Sequence, residues 1–314
     1  MTSLRLIQDA FYDWTREMSR SKRVLTWVGV LLQGYAFCAA ITRSLIWPYA
    51  WPRGALLVFS VWLLYLMGSL FVNGTLTSEF VRKTQLESDL MAARRIQQTL
   101  HPQAPVAVRG YNIESRYTPF RSVGGDYFDI VDFPDRRTLF AMADVAGKGM
   151  PAALLAANVQ ALVRSIAAND PSPLTLARQI NEHLSRYTPE DRFVTAVFVV
   201  LSPESGTLTY VNAGHNPPIL TSTASVSTLE ASGVPLGIFA DAKYEAKTAV
   251  LLPGCALLLF TDGLPDSIRD DDPEARIREV LTRASAIDAV AALVDRRLNS
   301  DDITMIMVKR SLPG

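Results

Sequence analysis

The stretch that most restricts what this chain can fold into is Ala143-Asp-Val-Ala-Gly-Lys-Gly-Met-Pro-Ala-Ala-Leu-Leu-Ala-Ala157. Residues 138–143 read as a buried strand, Gly147 and Gly149 permit a tight reversal, and Pro151 suits the first turn of a helix. Asp144 is thereby set at a strand end, facing a cleft. A carboxylate in that place can equally cap the following helix, so its meaning depends on partners elsewhere in the chain. A phosphate-binding P-loop is excluded, because Met142 stands where its first glycine belongs and Gly149 where its Ser/Thr belongs.

Partners are present. Upstream lies Val123-Gly-Gly-Asp-Tyr-Phe-Asp129; downstream lie Leu259-Phe-Thr-Asp-Gly-Leu264 and Asp301-Asp-Ile-Thr-Met-Ile-Met-Val308. Each puts an acidic residue at the edge of an apolar, strand-like run. Ionised carboxylates gathered in one cleft repel one another unless protons or cations neutralise them, and divalent metals are the natural neutraliser. Oxygen donors without histidine or cysteine suit magnesium or manganese rather than zinc.

In order along the chain, GGDYFD, DVAGKGMPAALLAA, NAGHNPP, GVPLGIF, LLLFTDG and DDITMIMV resemble the SpoIIE/RsbU-like branch of the metal-dependent PP2C serine/threonine phosphatases. The resemblance runs from about Tyr111 to Arg310, and its specificity lies in six motifs keeping one order. It implies an α+β, PP2C-like α-β-β-α sandwich of two antiparallel sheets. It also implies that Asp144 bridges two Mn2+ or Mg2+ ions beside the Val145 carbonyl, with Asp126, Asp262 and Asp301 as the other catalytic metal-site acids. Two such ions can activate a shared water for attack on phosphorus, so no protein nucleophile is required. Asp302, second of its pair, reads as a turn residue, and Asp129 as a supporting group. His215 reads as structural, with protonation of the leaving oxygen as the alternative. Lys148 reads as a solvated loop lysine, with a phosphate contact at the helix N-terminus as the alternative, and Arg121 as an ordinary exposed arginine.

The N-terminal region has a different character. Residues 24–42 and 54–72 are two nineteen-residue spans free of charge, and at about 1.5 Å per residue each reaches about 28 Å, close to bilayer thickness. A signal peptide is disfavoured by the long basic segment before the first span and by the presence of a second span. Trp47, Tyr49 and Trp51 in the turn suit a membrane interface. Basic residues before the first span, together with Arg82, Lys83, Arg94 and Arg95 after the second, put both termini and the catalytic domain in the cytoplasm. The expected order is a basic tail 1–23, a transmembrane hairpin 24–75, a helical linker 76–102 and a phosphatase domain 103–314, held at the inner membrane and in contact with its lipid.

The linker carries Leu86, Leu90, Ala93, Gln97 and Leu100 on one stripe. A parallel homodimer would use that stripe as a seam, weakened by Gln97 and Ala93; packing against the catalytic domain is the alternative. His101 reads as a helix-end residue before Pro102 rather than a metal ligand. Beyond it, strands are expected near 111–118, 126–133, 137–144, 192–201, 207–213, 217–221, 255–261 and 303–309. Helices are expected near 150–168, 173–187, 274–283 and 286–298, and the Thr/Ser run 221–228 reads as a surface loop. The chain is 314 residues with zero formal net charge, which disfavours a uniformly basic nucleic-acid binder, and its two cysteines, Cys38 and Cys255, read as buried thiols.

The resemblance implies a phosphatase acting on phosphoserine or phosphothreonine of a regulatory protein, often a STAS-type anti-sigma-factor antagonist. A catalytically silent membrane-tethered scaffold would be marked by loss of one metal-site acid. A phosphatase for small phosphomonoesters would use the same metals.

Overall fold

The computed structural model describes residues 27–32, 34–39, 53–102, 107–120, 122–189, 191–222 and 225–312. The basic tail 1–23, most of the turn at 47–53 and Arg121 lie outside the described residues. The chain divides into two compact units, Met1–Asp89 and Leu90–Gly314.

In the first unit, residues 27–32 and 34–39 are helical. The helix α1 is Arg53–Leu100 and begins at the second charge-free span. Within α1, Trp62, Leu63, Leu64, Tyr65, Leu66 and Met67 are consecutive and exposed. Cys38 is exposed and Cys255 buried, so the expectation of two buried thiols holds for one of them. Among the described residues, one helix is both long and apolar enough to cross a membrane, Met150–Ala167, and it supplies core residues to the second unit.

The second unit is a four-layer sandwich. One sheet holds β1 (Tyr111–Thr118), β10 (Ile303–Arg310), β9 (Ala256–Phe260), β6 (Ile219–Thr221) and β7 (Val226–Thr228), in that order. The other holds β2 (Asp126–Asp132), β3 (Thr138–Val145), β4 (Val194–Ser202), β5 (Thr207–Ala213) and β8 (Lys247–Val250). All pairings within the sheets are antiparallel.

Strand side chains alternate between faces, so a strand buried on both must be apolar throughout. On β3 the odd residues Leu139, Ala141 and Ala143 meet a core under α2 (Met150–Ala167) and α3 (Pro173–Tyr187). The even residues Phe140 and Met142 enter a second core between the sheets, against Leu257, Leu259, Ile306 and Val308. On the far face of the first sheet, Leu258, Phe260, Met305 and Met307 pack with Ile277, Leu281, Ile287 and Val290. Those last four belong to α5 (Pro273–Arg283) and α6 (Ile287–Ala291), which follow the short α4 (Gly263–Asp266). The α-β-β-α sandwich is therefore present as the sequence implies.

Several expectations need correction. The Thr/Ser run is partly a hairpin, with β6 and β7 paired as Ile219↔Thr228 and Thr221↔Val226. The helix expected over 286–298 stops at Ala291, because Val294 bridges Ile268 and the Asp295 N–H donates to the Ser267 carbonyl. Strand β8, four residues long, was not anticipated at all.

Candidate active site

The acids meet at one edge of the sandwich. Asp126 opens β2 and Asp144 lies near the end of β3, and the register of the two strands sets them directly opposite one another. Both follow the even parity of Phe128, Phe140 and Met142, which places them on the inter-sheet face. Asp262 follows β9 at the N-terminus of α4, and Asp301 and Asp302 immediately precede β10.

Asp126 ties the two sheets together. Its Oδ2 accepts the Thr261 hydroxyl at 2.8 Å and also that of Thr304, from the opposite sheet. Burial, then Asp144 and Asp302, drive its carboxyl well above the usual range, against the pull of the two threonines. Asp144 is pushed up to about 7, by burial first and then by Asp262, Asp301 and Asp302, with Lys148 offsetting part of the rise. Burial and neighbouring Asp301 raise Asp262 as well. Mutual elevation of this kind is what carboxylates show when they are held together without enough positive charge.

Asp302 is the hub of the surrounding loops. Its Oδ1 accepts the Phe120 N–H at 2.8 Å and its Oδ2 the Gly125 N–H at 2.9 Å. A Cβ at Gly124 would fall 2.1 Å from Asp302 Oδ2, and one at Gly263 would fall 2.0 Å from the Asp302 carbonyl oxygen. The glycines of two separate motifs are thus spaces for one aspartate, and its turn-holding role is as expected.

Asp129 is a supporting group, also as expected. It is fully buried, on the odd face of β2, and the Arg164 guanidinium of α2 grips both its oxygens at 2.5 and 2.6 Å. The Tyr127 hydroxyl adds a third bond at 3.1 Å. His101, half-buried, stacks on Phe128 at 4.8 Å between centroids at the helix end, and desolvation lowers its pKa.

His215 is buried and pushed down to about 4 by desolvation, so the ring is neutral at pH 7. Its Nδ1 lies 2.9 Å from Thr195 Oγ1, its N–H donates to Asn212 Oδ1, and its carbonyl accepts from Asn212 Nδ2. These bonds hold the Asn212–His215 turn. A neutral, enclosed imidazole is a poor proton donor, and the structural role is the one the geometry supports.

Two residues go beyond the sequence reading. Gln97, which looked like a weakness in a dimer seam, is buried, and its amide donates to the Gly124 carbonyl at 2.7 Å and accepts the Gly124 N–H at 3.1 Å. The last turns of α1 thus dock on the loop leading into Asp126. Arg192 donates to the Ala146 carbonyl at 2.9 Å, bracing the turn after Asp144. Gln97 accords with the alternative of packing on the catalytic domain, whereas Arg192 had no sequence signal, since its partner is distant in the chain. Lys148 is an exposed loop lysine, as expected, and its ammonium is in addition paired with Asp301 at 2.5 Å.

The available donors are Asp126, Asp144, Asp262, Asp301 and the Val145 carbonyl, which lies against Gly125. Among the described residues, no three Asp, Glu, His or Cys side chains stand in an arrangement that would hold one ion as placed. Two reasons are visible: Asp126 is turned to its threonines and Asp301 to Lys148. In kind, the all-oxygen, mutually repelling set fits hard divalent cations.

Two antiparallel sheets between helical layers, with this acidic edge, define the PP2C-type class of metal-dependent phosphatases. The chain belongs to the SpoIIE family, whose pattern, described as Stage II sporulation protein E (SpoIIE), matches residues 134–311. It is 26% identical over 243 residues to the phosphoserine phosphatase RsbU of Bacillus subtilis, covering 73% of this chain and 72% of RsbU. The RsbU and RsbW domains of Rv1364c from Mycobacterium tuberculosis superpose with a TM-score of 0.58 at 25% identity, over 68% of this chain and 64% of that one. The SiaA-PP2C domain of Pseudomonas aeruginosa superposes with a TM-score of 0.62 at 19% identity, over 73% of this chain and 98% of that domain.

Proposed function

We propose that this chain is a membrane-anchored, metal-dependent phosphoprotein phosphatase that removes phosphate from serine or threonine of a regulatory protein. The observation that carries the reading is the register pairing of Asp126 with Asp144 beside Asp262 and Asp301, acids whose repulsion asks for cations. Asp126, Asp144, Asp262, Asp301 and the Val145 carbonyl would hold two Mn2+ or Mg2+ ions. When bound, those ions activate water and take up phosphoryl charge.

The chain's own residues do the rest. Thr261 and Thr304 fix Asp126 from the opposite sheet, and Asp302 fixes the loop that leads into it. The cleft beside them is lined by Phe120, Val123, Lys148 and Asp301, which leaves an aromatic ring and an ammonium at its mouth for an incoming phosphorylated side chain. Water is the nucleophile, so the neutrality of His215 costs the reaction nothing.

The partner is read as a small phosphorylated STAS-like protein, in keeping with the relative named phosphoserine phosphatase RsbU and with the RsbU–RsbW pairing in Rv1364c. The anchor is read from the apolar helical residues at 27–39 and from the exposed run Trp62–Met67, apolar around the whole helix rather than on one face. Dimerisation through α1 belongs to the same proposal.

The test is hydrolysis by the full chain, with Mn2+ and with chelator, of phosphoserine peptides and of small phosphomonoesters, alongside Asp144→Asn. Metal-dependent peptide hydrolysis that disappears in the variant supports the reading. Preference for small esters would make the substrate a metabolite, and hydrolysis that ignores metal or variant would sink it. Extraction of the chain from the membrane fraction by alkaline carbonate would contradict the anchor.

A further inference from the structure

Lys148 sits where a cation is wanted. Its ammonium lies 2.5 Å from Asp301 Oδ2, donates to the Ser300 carbonyl at 2.8 Å, and stands 5.8 Å from the centroid of the Phe120 ring. Carboxylate, carbonyl and aromatic face are three partners that positive charge seeks. The lysine comes from the turn directly after Asp144, and Asp301 from the turn before β10, so the pair spans the cleft between the sheets' ends.

We propose that Lys148 is the built-in counter-ion of Asp301, and that it sets the affinity of the acidic edge for divalent cations by competing with them for that carboxylate. This rests on the reading of Asp301 as a metal ligand. A divalent ion drawn to Asp301 Oδ2 competes with the ammonium for that oxygen's lone pairs and repels its charge, so binding there favours the lysine's departure. The pair is suited to leaving. Side-chain exposures of 42% for Lys148 and 32% for Asp301 put it in the range of weak, solvent-screened ion pairs. Lysine, a compact charge on a flexible stem, can swing away at little cost, unlike the fork of an arginine. The buried pair Arg164–Asp129 shows the contrast: both carboxylate oxygens are engaged and the acid is fully enclosed. Displaced, the ammonium remains at the mouth of the cleft, beside Phe120.

The competing account is that Lys148 only staples the turn after Asp144 to the turn before β10. Calorimetric titration of the full chain with Mn2+ separates the two, using wild type, Lys148→Met, Lys148→Arg, Asp301→Asn and the double variant Lys148→Met/Asp301→Asn, with Asp144→Asn as reference. Competition predicts that Lys148→Met binds Mn2+ roughly fivefold tighter, that Lys148→Arg binds no tighter than wild type, and that the gain vanishes in the Asp301→Asn background. Lys148→Gln provides the same contrast should Lys148→Met fail to fold. Unchanged or weaker binding in Lys148→Met, with binding still reduced in Asp144→Asn, overturns the counter-ion role and leaves the metal centre standing. Wild-type Mn2+ binding equal to that of Asp144→Asn overturns the metal centre itself, and the inference with it.

Discussion

Asp126 and Asp129 lie three residues apart on one strand, both buried, and the chain treats them in opposite ways. Odd parity sends Asp129 under α2, where Arg164 neutralises it with a bidentate grip. Even parity sends Asp126 between the sheets, where its neighbours are two hydroxyls and two further acids, and its pKa climbs. A buried carboxylate given its own guanidinium is a structural part. One surrounded by other carboxylates is an unmet demand for charge, and that difference separates fold from site here.

The comparison can be broken most forcefully through activity. Asp126→Asn and Asp144→Asn should each reduce metal-dependent hydrolysis about a thousandfold, ~4 kcal/mol in barrier, whereas Asp129→Asn should leave kcat of the folded fraction within about twofold. A comparable loss of kcat in Asp129→Asn would erase the distinction.

Stability should rank the pair the other way. Arg164→Met strands Asp129 in the core and should cost about 3 kcal/mol in urea unfolding, at the low end for a broken buried pair because the arginine is 46% exposed. Asp126→Asn, in chelator, should instead stabilise the fold by roughly 1 kcal/mol, because it removes a charge that the other acids repel.

The acid edge also has a pH signature. Asp144 titrates near about 7 when folded, and near ~3.9 when unfolded. Between those values the folded chain binds the extra proton, so metal-free stability should fall as pH rises from about 4 to about 7, and Asp144→Asn should flatten the slope. A rising slope over that window in denaturant melts would contradict the arrangement. At the small end, Glu182→Gln breaks the exposed Glu182–Arg186 pair on α3 and should move the unfolding midpoint by less than about 0.5 kcal/mol.

Much of this was legible in the sequence, for a definite reason. Strands buried on both faces announce themselves as apolar runs, and helices entered through proline or serine announce their starts, so β3, β10 and α3 fall within a residue of where expected. That the glycines of GGD and TDG make room for Asp302, across 177 residues in one case, had no sequence signal. What stayed hidden was set by distant partners. Strand β8 is four residues with alternating exposure and exists because β5 offers it an edge. Residues 292–298 carry a helical pattern, yet Ser267 and Ile268 capture their backbone. Gln97 read as a flaw until its partner, the Gly124 backbone, was in view. The ion pair of Lys148 stayed out of view for the same reason: its partners lie at the other end of the chain.

Of the two threonines that hold Asp126, Thr304 belongs to the sheet opposite its own and Thr261 directly follows a strand of that sheet. Any substitution in the inter-sheet core that lets one sheet slide against the other by a fraction of an ångström therefore shifts the donors on a site acid before it costs much folding energy. Drift among residues such as Phe140, Leu257 and Ile306 is then policed by turnover rather than by solubility. Neutral-looking changes far from the cleft should accumulate more slowly between the sheets than beneath the helices, where the only thing at stake is stability.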